Sequence, residues 1–97
     1  MMYNVQLTEQ AQKDLRRLDR TVLEKALRAM TDLATNPLSG HALTGSLRGV
    51  RSLEFSAPGG AYRAAYIVHK DVCIVFMVGP HENFYKIAER RYRALKF

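Results

Sequence analysis

The chain has 97 residues, enough for one small domain and too few for two. With 47% hydrophobic and 25% charged residues it has ordinary globular composition, which excludes a disordered tail; no apolar run reaches the roughly 20 residues of a membrane helix. Fifteen Lys and Arg against nine Asp and Glu leave a formal charge of +6, which suits either a polyanionic partner, nucleic acid above all, or a solvated helix face with spare charge.

The N-terminus has no signal-peptide pattern, so the expectation is a soluble, cytoplasmic protein without membrane association. Tyr3, Val5 and Leu7 alternate with polar residues as a short half-buried strand does. Thr8 can cap the helix that follows, on which Leu7, Ala11, Leu15 and Leu18 share a face. After a turn near Asp19-Arg20-Thr21, Thr21 and Glu24 match a capping box at the start of a second helix, with Leu23, Leu27, Met30 and Ala34 as its stripe. Asn36-Pro37 ends it, and the short connection predicts an antiparallel helical hairpin.

Residues 37–49 have no clear period and read as a loop. Three strands follow: Arg51, Leu53 and Phe55 alternate with Ser52, Glu54 and Ser56; Ala61 to His69 and Val72 to Val78 are β-rich, the last run apolar on both faces. Cys73 lies in that run and reads as a buried core thiol. Phe84, Ile87, Ala88 and Leu95 return at helical spacing, most simply as core. Tyr92 and Phe97 fit either a core or an exposed patch for a partner. The order β-α-α-β-β-β-α predicts a single α+β domain over residues 1–97, an antiparallel-rich sheet of about four strands packed on the helical hairpin, with part of its other face open or only partly covered.

If Lys70-Asp71 is a two-residue turn, His69 pairs with Val72 and Arg63 falls opposite Val78, beside the strand end that leads to His81. A register slip would change which face Arg63 uses. Arg63 among apolar neighbours has to reach solvent, pair with Glu54 as a structural ion pair, or serve a site. His81 and Tyr85 are four residues apart and share a face if a helix has begun by then; a helix N-terminus there would favour an anion. A guanidinium, an imidazole and a phenol suit cleavage of an RNA phosphodiester. That reaction needs a base for the 2′-OH, an acid for the leaving 5′-oxygen, and cations for the phosphorane. His41, His69 and His81 are scattered and no acids stand at ligand spacing, so the reading is metal-independent and requires no cofactor.

The segments AQKDLRRL (11–18), NPLSGHALTGSLRG (36–49), GAYRAAYIV (60–68) and VGPHENFYK (78–86) together resemble the RelE/ParE superfamily of bacterial toxins, from toxin–antitoxin modules. The most specific part is the YR…Y strand followed by G-x-H-x-x-x-Y. The resemblance implies a sheet of about four strands on a helical hairpin. In its RelE-like and HigB-like branches it implies a metal-independent endoribonuclease that cuts mRNA, often on the ribosome. Arg63 then matches the arginine on the scissile phosphate, His81 the catalytic His or Arg after the last strand, and Tyr85 the tyrosine of base stacking or proton transfer. RelE carries two lysines where Ser52 and Glu54 fall here. Either Glu54 replaces them as base or Arg48, Arg51 or Lys86 neutralises the phosphate; His81 can serve as base or acid, the favoured assignment being acid with Glu54 as base, and Arg90 adds to the RNA-binding set. A cognate antitoxin is the implied partner, laid over the basic cleft or displacing the last helix. The ParE branch implies a competing target, DNA gyrase, and a catalytically silent RNA- or ribosome-binding protein is a third reading.

Overall fold

The computed structural model describes residues 2–95. Strand β1 (Asn4–Leu7) leads into helices α1 (Glu9–Arg16) and α2 (Arg20–Leu33); then come β2 (His41–Ala42), a single 3-10 turn (Gly45–Leu47), β3 (Arg51–Ala57), β4 (Gly60–His69), β5 (Val72–Pro80) and α3 (Phe84–Ala94). The expected α+β architecture is present. The sheet has five strands in the order β1-β5-β4-β3-β2, with only β1 and β5 parallel. The fifth strand is β2, two exposed residues inside the segment read as a loop, too short to carry a period.

Local chemistry explains most boundaries. Thr8 caps α1 as expected, its Oγ1 accepting the Ala11 amide at 3.1 Å. The Thr21–Glu24 capping box does not form: α2 begins at Arg20 behind Asp19, which leaves Thr21 already helical, and Glu24 stands 3.6 Å from Arg20 instead. Pro58-Gly59 turns β3 into β4, with Gly59 at φ 99°, a backbone angle that favours glycine.

Two cores flank the sheet. Ala11, Ala26, Met30, Leu33, Tyr66, Cys73, Val75 and Val78 pack between α1–α2 and one face. Leu47, Val50, Ala65, Ile67, Phe76, Met77, Phe84 and Ala88 fill the space between the other face, α3 and the 3-10 turn. The second face is thus covered more fully than expected, and β5 is buried on both sides as its composition requires. Tyr92 belongs to this layer, its ring stacked on Phe76 at 6.1 Å; Phe97 lies outside the described residues. Burial raises the Cys73 thiol above its ordinary pKa. Among the described residues, no helix is long and apolar enough to cross a membrane.

Candidate functional site

The β4–β5 hairpin sets the site. From His69↔Val72 to Tyr66↔Val75 the partners follow the register expected of the two-residue turn. The register then shifts: Ala65 pairs with Met77, and Phe76 is the extra residue of a β-bulge. Arg63 consequently lies opposite Gly79, where the uninterrupted register put Val78. The consequence is larger than one position. Phe76 and Met77 both point into the α3 layer, Val78 drops to the α1–α2 layer, and Gly79 comes up beside Arg63 without a side chain. His81 continues the new register, its amide donating to Ala61 O at 3.2 Å, and so shares Arg63's face.

Arg63 is the centre of a four-residue cluster drawn from β3, β4, α3 and the loop after β5. Its Nε donates to His81 Nδ1 at 2.9 Å, its Nη1 to Tyr85 Oη at 3.0 Å, and its Nη2 lies 2.8 Å from Glu54 Oε2. The guanidinium carbon also stands 5.4 Å from the Tyr85 ring centroid, a cation–π distance. Glu54 is directly opposite Arg63 in the β3–β4 ladder, which explains their pairing. Arg63 is 14% exposed and Glu54 49%. His81 and Tyr85 are exposed as well, so three of the four groups face solvent. Because α3 begins at Phe84, His81 and Tyr85 do not share a helical face; Arg63 brings them together. With Nδ1 accepting from Arg63, the imidazole proton resides on Nε2, and the Tyr85 hydroxyl retains its own proton to donate.

The other basic candidates divide. Lys86, Arg90 and Arg93 lie along one exposed stripe of α3 with Glu89 between them, and Lys86 directly follows Tyr85. Arg93 pairs with Glu89; among the described residues Arg48, Lys86 and Arg90 pair with no acid. Arg48 is exposed beside the far half of α3, where its carbonyl accepts from Tyr92 Oη at 3.1 Å. Tyr92 is seven residues beyond Tyr85, about 10 Å along the helix. Arg51 stands apart from the other basic candidates. It lies opposite Tyr66 and so on the α1–α2 face, away from Arg63. Its Nη2 donates to Leu38 O at 3.0 Å and Gly40 O at 2.8 Å, fastening the loop before β2. Ser52, at one of the positions where the resemblance has lysine, is fully buried.

The sequence reading passed over Asp14 and Arg91, which are 77 residues apart. Their side chains form a two-point ion pair, Arg91 Nη1 to Asp14 Oδ2 at 2.6 Å and Nη2 to Oδ1 at 3.0 Å. Asp14 Oδ2 also accepts the Val78 amide at 2.9 Å, and Arg91 Nη1 donates to Phe76 O at 3.1 Å. The available signal was Asp14 itself, an acid on the same helical face as Ala11 and Leu18. Among the described residues no three His, Cys, Asp or Glu side chains gather as a metal site would need.

The model of a family described as the ParE-like toxin of type II bacterial toxin–antitoxin systems matches residues 5–88. No curated protein matches the sequence significantly. Among solved structures, the free RelE toxin of E. coli, in a doubly substituted form, is similar with a TM-score of 0.76 at 24% identity, covering 98% of this chain and 100% of its own. The toxin–antitoxin complex RelBE2 of Mycobacterium tuberculosis has a chain with a TM-score of 0.68 at 28% identity, covering 81% of this chain and 98% of that one. A chain of the intact E. coli RelBE toxin–antitoxin complex has a TM-score of 0.69 at 24% identity, covering 82% and 98%.

Proposed function

This chain belongs to the family of ParE-like toxins of type II bacterial toxin–antitoxin systems, and within it we propose that it is a metal-independent endoribonuclease that cleaves mRNA on the ribosome and so arrests translation. The observation that carries this reading is the Arg63 guanidinium, three of whose donor atoms end on an imidazole, a phenol and a carboxylate. A scissile phosphate is the natural competitor for such a guanidinium, since its oxygens can replace the partners now held there.

The chemistry follows from that exchange. Glu54, released from Arg63, takes the 2′-OH proton. The 2′-oxygen then attacks phosphorus, and the bond to the 5′-oxygen breaks to leave a 2′,3′-cyclic phosphate and a 5′-hydroxyl. Protonated His81 and its hydrogen bond from Arg63 exclude each other, because Nδ1 cannot carry a proton and accept one at once. Drawing Arg63 onto the phosphate therefore frees His81 to be protonated and to supply the leaving oxygen's proton. Arg63 neutralises the phosphorane, and Tyr85 stacks on a base or donates its hydroxyl. Arg48, Lys86 and Arg90 extend the positive surface for the flanking phosphates.

The RelBE and RelBE2 structures are complexes of toxin with antitoxin. By that likeness this chain's partner is a cognate antitoxin, in the cytoplasm, which covers the basic surface. The test uses an mRNA positioned on ribosomes beside the same RNA free in solution, each with or without one 2′-deoxy nucleotide at the cut position. The reading predicts cyclic-phosphate ends that vanish with the 2′-deoxy substitution. Cleavage at the deoxy position contradicts it, and intact RNA with inhibited gyrase supercoiling moves the target to gyrase.

A further inference from the structure

Strand β1 pairs with β5 only through Val75. Beyond that residue the outer edge of β5 has no neighbouring strand, and this is where the bulge lies. Two groups of this edge, the Phe76 carbonyl and the Val78 amide, take side-chain partners instead of a strand. The buried pair supplies both missing partners: Arg91 donates to Phe76 O at 3.1 Å and Asp14 accepts from Val78 N at 2.9 Å. The pair thus stands in for a strand at the two residues flanking Met77.

The position of the site depends on that bulge. Without the extra residue Arg63 would face Val78, and the alternation of the strand would send Gly79 and His81 to the α1–α2 face. Arg91 is also on α3, six residues after Tyr85, so the same ion pair ties the helix that carries the phenol to the strand end that carries the imidazole. We infer that Asp14 and Arg91 are positioning residues for the Arg63 cluster: together they hold the β5 bulge and α3 in the arrangement that sets His81 and Tyr85 on the guanidinium.

This inference rests on the ribonuclease reading for its functional consequence, but its structural half can be measured alone. The variants are Asp14→Asn, Arg91→Met and the milder Arg91→Lys. Leu33→Ala, in the buried core under α2, serves as the control for lost stability. All are assayed well below their melting temperatures. Imidazole 15N shifts report whether His81 Nδ1 still accepts a hydrogen bond with the proton on Nε2. Single-turnover cleavage of the ribosome-bound mRNA reports the chemistry. The expected result is loss of the His81 signature in the Asp14 and Arg91 variants and its retention in Leu33→Ala. With it comes a drop of about 100-fold in the cleavage rate, the scale of a small misplacement at a reacting centre, with little change in KM. If Arg91→Met does not fold, Arg91→Lys decides. A folded variant with the His81 signature and cleavage rate intact overturns the inference. Loss of the signature in a protein whose parent cleaves no RNA upholds the positioning role and overturns the ribonuclease reading instead.

Discussion

Arg63 holds His81, Tyr85 and Glu54 at once, and the ribonuclease reading proposed above has a phosphate displace them. Lysine keeps the charge but not the fork, so it cannot serve Glu54, His81 and Tyr85 together. Arg63→Lys is expected to lower single-turnover cleavage by about 100-fold, the cost of removing one preorganised donor from a developing oxyanion. Its melting temperature should change little, because an ion pair with a half-exposed partner contributes weakly to stability. A cleavage rate equal to that of the parent would remove Arg63 from the chemistry. Away from the cluster, Glu89 accepts from Ser46 Oγ at 2.7 Å and also pairs with Arg93. These contacts, Ser46 first, hold its carboxyl below the ordinary range. A lowered folded-state value means that this contribution is present above the ordinary carboxylate range and lost as pH falls through the folded value. Ser46→Ala should move the Glu89 midpoint upward in a carboxyl 13C titration; an unmoved midpoint would deny Ser46 its part. At this scale the gathering of Arg63, His81 and Tyr85 was legible because an arginine in an apolar strand and a histidine after a core strand stand out locally. Asp14 and Arg91 were not, since neither residue shows in its own neighbourhood what the other supplies.

The bulge is the element-scale feature that decides the site's geometry, and one sequence does not display it. VCIVFMV is apolar on both faces, so no polar position marks where the alternation breaks. The turn at Lys70-Asp71 gave the correct partners near the turn, and the slip enters only at Phe76, beyond reach of turn chemistry. Strand β2 escaped for a different reason: two residues carry no period, and their pairing with Arg51 and Ser52 is nonlocal. Caps were legible only where helix starts were. Thr8 was placed correctly, and Thr21 failed because the helix began two residues earlier, behind Asp19. Thr8→Ala removes the acceptor for the Ala11 amide and should cost about 1 kcal/mol in urea unfolding. An unchanged midpoint and slope would mean that the cap contributes nothing to α1.

At the scale of the molecule, the sheet separates two apolar layers. The α1–α2 face holds one apolar core, and Arg51 is spent there on the loop before β2. The α3 face carries the second core and, at its rim, Glu54, Arg63, His81 and Tyr85 with Lys86 and Arg90 close by in sequence. The fold class was readable because element order and hydrophobic period agree along nearly the whole chain, and the family match over residues 5–88 belongs with that agreement. Which basic residues share a surface was not readable, because it depends on strand parity and register, and these placed Arg51 and Arg63 on opposite faces.

The central claim, that this cluster cuts RNA with His81 as a participant, is tested most directly by mapping 5′ ends of cellular mRNA within minutes of inducing the protein, beside an induced His81→Ala variant. New ends in phase with codons, absent from the variant although it folds and accumulates equally, are the predicted result. Growth arrest with intact mRNA, or the same new ends from His81→Ala, would contradict it.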